Sequence, residues 1–121
     1  MTTTPDNRFS DISIIHKTYK FYLALYSTNQ FLPKRDRYTL GVKAENISLE
    51  ILETLYLANS KAGNIRLELL EKADVKLKVL QAVIRLCHDT KALDQNKYLA
   101  LQSALQEIGK MLGGWIKTTK S

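Results

Sequence analysis

Apolar residues recur at three- and four-residue intervals along four stretches of this chain, which is the pattern of amphipathic α-helices. The spacing predicts helices over about 10–31, 34–60, 64–88 and 95–117, with a flexible tail at 1–9 and a short one at 119–121. The links between the helices are short, and only two prolines and five glycines interrupt 121 residues. An all-α fold is therefore expected, with an antiparallel up-down four-helix bundle over 10–118.

Each predicted helix has an apolar face that is expected to line the core. The last helix has a regular stripe of Tyr98, Leu101, Leu105, Ile108, Leu112 and Trp115. The third contributes Leu77, Leu80, Ile84 and Cys87. The second contributes Leu40, Ala44, Ile47, Ile51, Leu55 and Ala58, with a further apolar strip at Leu49, Leu52 and Tyr56. The first is expected to use Ile12, Ile15, Tyr19, Tyr22 and Tyr26, enlarged by Phe9, Phe21, Leu23 and Leu25.

The residues between the predicted helices carry start and stop signals. Pro33 stops the first helix or opens the second, because proline fits only the first turn of a helix. Gly63 is expected at the C′ position of the second helix, and Asn64 is expected to cap the third. Asp94 is a good N-cap residue for the fourth helix.

The third helix is apolar on more than one side. Val79, Val83 and Leu86, with Ala82, cover most of the circumference that the core stripe leaves. Its polar arc spans only about 60° on the helical wheel, and that arc holds Lys78, Gln81 and Arg85. A surface helix of a monomer exposes more polar surface than this. We therefore expect an oligomer interface at Val79, Val83 and Leu86, filled most economically by another copy of the chain.

Three glycines lie inside the pattern of the last helix, where each costs about 1 kcal/mol relative to alanine. Gly109 and Gly113 are four residues apart and share a face, so they would let another backbone approach closely. Together with Trp115 they predict close helix packing. The alternative is that Gly113 and Gly114 fray the C-terminus, although Trp115 and Ile116 beyond them argue against it.

The net charge of +6, from 18 basic and 12 acidic residues, suggests a polyanionic partner. Lys34, Arg35 and Arg37 place three bases within four residues beside a helix N-terminus, where the helix dipole is already positive. A bound anion such as phosphate would relieve this repulsion. The alternative is a solvated loop that Asp36 partly neutralises.

The sequence offers no recognisable catalytic or metal-binding constellation. A di-iron carboxylate bundle needs Glu-x-x-His pairs, and this chain has none. His16 and His88 are isolated, and no phosphate-cradling glycine loop is present. We therefore expect a non-enzyme with no cofactor. The absence of a signal-peptide pattern or a bilayer-spanning apolar run, and the single Cys87, favour a cytoplasmic location.

Three groups of residues resemble a known family: Leu32-Pro33-Lys34…Arg37-Tyr38…Leu40-Gly41, Leu80…Arg85-Leu86, and Glu107-Ile108-Gly109-Lys110-Met111-Leu112-Gly113-Gly114-Trp115-Ile116. The chain resembles the accessory variability determinant (Avd) proteins of diversity-generating retroelements. That family is related to the four-helix-bundle proteins encoded in ribosomal-RNA intervening sequences. The likeness covers nearly all of the chain beyond Ser10, and the last group is the one most specific to Avd proteins.

The resemblance implies a ring-like homopentamer of four-helix bundles with a basic surface. It implies binding to the element's reverse transcriptase and to nucleic acid. The nucleic acid includes the template-repeat RNA, and DNA is a possible further ligand. Such a protein supports mutagenic, adenine-directed cDNA synthesis without catalysing it. Arg85 matches the basic position linked to reverse-transcriptase contact, whereas Gln81 stands where a second base often occurs; Lys78 could partly substitute. The candidate binding residues are Lys34, Arg35, Arg37, Lys43, Lys78, Gln81 and Arg85.

Three alternatives remain at this point. The first is a structural assembly module whose charge serves solubility. The second is a protein of the rRNA intervening-sequence type, which shares the fold, has a ribosomal partner and lacks the polymerase. A metal-dependent enzyme ranks last, because the sequence lacks a set of metal ligands.

Overall fold

The computed structural model describes residues 5–121, with side chains from Ser13 onward. Its elements are α1 (Pro5–Asn29), α2 (Lys34–Asp36), a π-helical turn (Arg37–Gly41), α3 (Val42–Asn59), α4 (Gly63–Asp89) and α5 (Gln95–Lys120). The helix α1 begins at Pro5 instead of about Ser10. Residues 1–4 of the expected tail, and the side chains of Phe9 and Ile12, lie outside the described part.

The elements α2, the π-helical turn and α3 follow one another without a break in helical backbone angles, so four long helical segments result. Segments that are consecutive in sequence pack side by side, and α5 closes the bundle against α1. No strand occurs among residues 5–121. The described chain is thus a four-helix bundle, as the sequence pattern predicts.

The core stripes of the last three segments are where the sequence placed them. Leu77, Leu80, Ile84 and Cys87 are buried, as are five of the six residues predicted for α5, with Tyr98 half-buried. The α3 stripe is buried from Ala44 to Ala58 and is joined by two polar residues, Ser48 and Thr54.

The predicted inner face of α1 is correct at Ile15 but wrong at the tyrosines. The buried residues are Ile14, Ile15, Thr18, Phe21, Leu25 and Asn29, whereas Tyr19 and Tyr26 are exposed and Tyr22 is half-buried. The helix is apolar on two sides, and the side that carries two polar residues faces the core. Both polar residues have hydrogen-bond partners. The Thr18 hydroxyl donates to the Ile14 carbonyl at 2.9 Å, and the Asn29 amide donates to groups of the second segment. A buried polar group with a partner costs little, so polarity did not keep this face out of the core.

Asn29 joins α1 to the second segment. Its side-chain amide donates to the carbonyl of Gly41 at 3.0 Å and to the carboxylate of Glu45 at 2.9 Å. Gly41 is buried at the end of the π-helical turn, and a Cβ there would lie 3.3 Å from atoms of both Asn29 and Leu32. The missing side chain lets the α1–α2 connection approach this closely.

The helix ends confirm one predicted cap and correct two others. The Asp94 side chain accepts a hydrogen bond from the Lys97 amide at 2.9 Å, as an N-cap residue does. Asn64 is not a cap, because α4 begins at Gly63 with Ala62 as its N-cap, and Ala62 offers no side-chain hydrogen bond. Gly63 is not the C′ residue of the second segment either, because α3 ends at Asn59 with Ser60 as its C-cap. Gly63 is the first residue of α4 and has φ +60°, which glycine adopts without strain.

Arg66 stabilises the turn between α3 and α4. Its guanidinium donates to the carbonyls of Ala58 at 3.0 Å and Asn59 at 3.4 Å, which are among the last carbonyls of α3 and lack partners within that helix. The guanidinium carbon also lies 5.7 Å from the centre of the Trp115 ring. The only tryptophan is thus buried beside the α3–α4 turn, and it packs the end of α5 onto the bundle.

Candidate interaction surfaces

A line of apolar side chains runs along the outside of α4. Val75 is 62% exposed, Val79 43% and Leu86 48%, and Ala82 lies exposed between them. Their spacings of four, three and four residues place them in one line, on the opposite side of α4 from Leu77, Leu80 and Ile84. We call these four residues the outer stripe.

Val83 does not belong to the outer stripe, although the sequence analysis placed it in the oligomer interface. Its side chain is only 7% exposed and packs in the core of its own subunit. Val75, which the sequence analysis left out, takes its place at the surface. The pattern of spacings of four, three and four is the seam pattern of a helix that packs against another helix.

A second apolar surface covers the α1–α3 side of the bundle. Asn29 contacts Glu45, so the side of α3 that carries Glu45 faces α1. Residues four, seven and eleven positions after Glu45 lie on that same side, and these are Leu49, Leu52 and Tyr56. Opposite them α1 exposes Tyr19, Leu23 and Tyr26. We call this set, with the half-buried Tyr22, the aromatic face.

The aromatic face is ordered by contacts between its own members. The ring centres of Tyr22 and Tyr26 are 6.3 Å apart. Partial burial, followed by the negative charge of Glu45, raises the pKa of the Tyr22 hydroxyl above its ordinary value. Tyr22 therefore lies on the side of α1 that is near Glu45 of α3, next to the exposed Tyr26.

The bases at the start of the second segment have two different roles. Lys34 and Arg35 are exposed and form no ion pair with any described residue. Arg37 instead turns back, and its Nη2 donates to the carbonyls of Gln30 and Leu32, each at 3.2 Å. The structure thus gives Arg37 a structural position in the α1–α2 connection, while Lys34 and Arg35 remain as the basic turn.

The alternative interpretation, in which Asp36 partly neutralises the basic turn, gains no support from ion pairing. Asp36 is half-buried, and it makes no ion pair with a described base. Its negative charge instead affects Cys87, on the inner side of the segment. Burial, and to a smaller extent the charge of Asp36, raises the pKa of the Cys87 thiol to about 11. The Cys87 thiol therefore stays protonated and unreactive at neutral pH.

The basic residues predicted on α4 are exposed but already have acidic neighbours. Lys78 Nζ lies 2.6 Å from the Asp74 carboxylate, and Arg85 Nε lies 3.6 Å from that of Asp89. Ion pairs this exposed contribute little free energy, so a stronger anionic partner can replace the acid. Gln81 is half-buried, and its backbone carbonyl accepts a hydrogen bond from the Gln102 side chain at 3.0 Å. Lys43 is exposed near the start of α3 and has no ion-pair partner among the described side chains.

A shallow groove of about 380 Å³ separates α4 from α5, with Lys78 and Gln81 on one side and Gly109 and Lys110 on the other. A Cβ at Gly109 would lie 3.4 Å from Leu77, which is an ordinary contact. Gly113 has no atom within 4 Å of the position of an added Cβ. Within the subunit, therefore, Gly113 does not provide the close helix packing that the sequence predicted, and its side of α5 is open.

In the part of the chain with described side chains, no three histidine, cysteine, aspartate or glutamate residues lie close enough to hold a metal ion. His88 packs instead as a structural residue, stacked on the Tyr98 ring at 4.2 Å and 2.7 Å from the Gln95 side-chain oxygen.

No helix among the described residues is both long enough and apolar enough to cross a bilayer.

The fold and these surfaces define a class: a small helical bundle whose distinctive chemistry lies on its outside, as in proteins that work by assembling with partners. Comparison with known protein families makes this specific. Residues 12–119 match the bAvd-like family, so the chain belongs to the bAvd-like family of accessory variability determinant proteins. Members are accessory, non-catalytic proteins, and membership indicates an accessory role in a diversity-generating retroelement. No curated protein matches the chain.

Sequence reasoning missed two features of these surfaces. The aromatic face was assigned in part to the core, since tyrosines at helical spacing resemble a core stripe. Val75 was overlooked because it lies between charged residues, although its spacing to Val79 is the signal that could have found it.

Proposed function

We propose that this protein is a non-catalytic subunit that assembles with copies of itself and holds a reverse transcriptase and its RNA together on a basic surface. The observation that carries the proposal is the outer stripe, an apolar seam on the far side of α4 from the core, with Lys78 and Arg85 beside it. Membership of the bAvd-like family supplies the retroelement context.

Self-assembly is supported by the two separate apolar surfaces. The outer stripe is a ridge on a single helix, whereas the aromatic face is a broader surface formed by two helices. A closed ring uses heterologous contacts, in which one patch of each subunit meets a different patch of the next. A ridge and a two-helix surface on different sides of the bundle satisfy that requirement. The bAvd-like resemblance makes five the expected number of subunits.

Nucleic-acid binding is supported by the bases that lack acidic partners. Lys34, Arg35 and Lys43 all lie near one end of the bundle and are exposed. Assembly would place several copies of this end on one particle, each subunit adding a net charge of +6 to the same field. Such contacts are made to phosphates, so binding tolerates many sequences and weakens as salt rises.

Reverse-transcriptase contact is assigned to the polar arc of α4. Arg85 is exposed, and its nearest acid is at 3.6 Å, a long and weak pairing that a carboxylate on a partner protein can replace. Lys78 extends the same arc toward the groove between α4 and α5. Gln81 contributes a neutral side chain there, so the positive charge of this arc comes from its two ends.

The test is the light-scattering mass of the purified protein, with and without the reverse transcriptase of the same element, followed by a salt titration of RNA binding. We expect a mass of several subunits, a heavier complex with the enzyme, and an RNA affinity that falls steeply with salt. An oligomer that binds neither partner would leave only the structural-module interpretation, and a monomer that binds neither would refute the proposal.

A substitution separates enzyme contact from assembly. Arg85→Ala should weaken capture of the reverse transcriptase while leaving the oligomer mass unchanged, because the side chain lies outside the outer stripe. The matched control is Lys117→Ala, which removes an exposed base from α5 instead of α4. Equal capture by Arg85→Ala and the unmodified protein would reject the assignment.

A further inference from the structure

The structure presents two strongly exposed aromatic rings beside the basic turn. Phe31 is 69% exposed in the connection between α1 and α2, and Tyr38 is 62% exposed in the π-helical turn. They flank Lys34 and Arg35 in the chain. Burial of aromatic rings is a large source of stability, so two rings left this open are unusual unless they meet something outside the subunit.

Both rings are held in place instead of hanging from a loose loop. The carbonyls on either side of Phe31, those of Gln30 and Leu32, accept hydrogen bonds from the one guanidinium of Arg37. Tyr38 is the next residue after Arg37, so the same side chain connects the two aromatic positions. Arg37 thus holds the backbone on both sides of Phe31, and Tyr38 lies in the π-helical turn, so both exposed rings project from ordered backbone.

A further base lies beside Phe31. The Lys97 ammonium, at the start of α5, is 5.4 Å from the centre of the Phe31 ring and lies over its face. One face of the ring thus has a cation against it, and the exposure of the side chain leaves surface open for a second planar group. Lys34 and Arg35 provide charge without ion-pair partners among the described residues.

We infer that this end of the bundle binds single-stranded nucleic acid, with unpaired bases stacked on Phe31 and Tyr38 and the adjacent phosphates held by Lys34 and Arg35. Rigid aromatic rings interleaved with bases are how single strands are bound without sequence readout, since every base has a face on which to stack. A duplex keeps its bases stacked on each other, so it can use the charges but not the rings. The inference rests on the proposed RNA binding and specifies the form of RNA.

The experiment compares two probes, a fluorescein-labelled unstructured RNA of about 20 nucleotides and the same strand annealed to its complement. Affinities are measured by fluorescence anisotropy across a series of salt concentrations. Phe31→Ala and Tyr38→Ala should each weaken single-strand binding between about fivefold and 150-fold. Duplex binding should stay unchanged, and so should the salt slope of the single-strand affinity.

Substitutions at the same positions provide matched controls. Phe31→Tyr keeps an aromatic face and should retain binding, whereas Phe31→Leu keeps apolar bulk without the ring system and should behave like Phe31→Ala. Lys34→Gln should reduce the salt slope for both probes, because it removes a phosphate contact. Light scattering of every variant checks that the number of subunits is unchanged.

Each outcome decides a different claim. Equal losses on both probes, or no loss with Phe31→Ala and Tyr38→Ala, would overturn the stacking inference while leaving RNA binding intact. A change in subunit number would assign the rings to a protein contact and overturn it as well. If the unmodified protein bound neither probe, the proposed RNA function would itself fail.

Discussion

Replacing Leu86 by glutamate tests whether the outer stripe is a subunit interface. The side chains of the stripe are about half exposed at Val75, Val79 and Leu86. Full burial of one such side chain stabilises by about 1.5–3 kcal/mol. Burying the exposed half of all three therefore contributes roughly 2–4 kcal/mol per stripe. The Leu86→Glu change removes about a third of this and places a carboxylate at the seam, where desolvation costs several kcal/mol more. Each 1.4 kcal/mol is a factor of ten, so self-association should weaken by at least about 100-fold.

The assay is light-scattering mass over a dilution series, in which Leu86→Glu should move the equilibrium to smaller species. Leu99→Glu is the matched control, because Leu99 is 51% exposed against 48% for Leu86 but lies on α5, outside both apolar surfaces. The reasoning would be refuted if Leu86→Glu kept the mass of the unmodified protein, or if Leu99→Glu dissociated it equally.

Mixing two variants tests whether the contact is heterologous. Leu86→Glu damages the outer stripe and Tyr19→Glu damages the aromatic face, so neither should assemble alone. When the two variants are mixed, the intact outer stripe of Tyr19→Glu should bind the intact aromatic face of Leu86→Glu. The product should be a dimer that cannot grow, because its two remaining surfaces are the damaged ones. If the stripe instead packs on the stripe of a second copy, Tyr19→Glu should dimerise by itself and the mixture should add nothing.

Four further predictions concern stability, each measured by thermal or urea unfolding. Gly113→Ala should raise the free energy of unfolding by about 1 kcal/mol, because a methyl group there meets no atom and alanine favours the helix; a loss would show that the site is tighter than described. Ser48→Ala should leave it unchanged or raise it by about 1 kcal/mol, since the buried Ser48 hydroxyl has no partner. Asn29→Ala should lower it by about 1–3 kcal/mol by removing the hydrogen bonds that the buried Asn29 amide donates to Gly41 and Glu45, and a neutral result would contradict the role given to Asn29. Asp94→Ala should lower the melting temperature more near pH 7 than at an acidic pH below the ordinary pKa of aspartate: hydrogen bonds from Lys97 hold the pKa of Asp94 below its ordinary value, so its contribution is present above the ordinary pKa and is lost as pH falls through the folded one. An equal loss at both pH values would exclude that titration.

The sequence was sufficient for the secondary structure and for three of the four core faces. In α3, α4 and α5 the strongest apolar stripe at helical spacing is also the one that is buried. The Asp94 cap followed in the same way, because an N-cap is a contact between residues three apart. Such near-neighbour features are the ones that a sequence can indicate, although the Asn64 cap, predicted in the same way, was wrong.

The same reasoning failed at the glycines and at the basic turn. Gly113 shares a face with Gly109, but whether that face meets another helix depends on how α5 is placed against α4. In the sequence Arg37 looks like Lys34 and Arg35, a base in the same short cluster. In the structure its side chain donates hydrogen bonds to two carbonyls of the preceding connection. Charge and size are visible in a sequence, while the groups that surround them are not.

What the sequence by itself determined is four amphipathic helices, their order and the excess of positive charge. What only the tertiary structure decided is which side of α1 faces inward, and with it which surfaces remain outside. The helix carries apolar residues on two sides, so hydrophobicity alone does not choose between them. The inward side buries Ile14, Phe21 and Leu25, and its polar residue Asn29 finds hydrogen-bond partners on Gly41 and Glu45 in the next segment. Tyr19 and Tyr26 then remain outside, where they form part of the aromatic face.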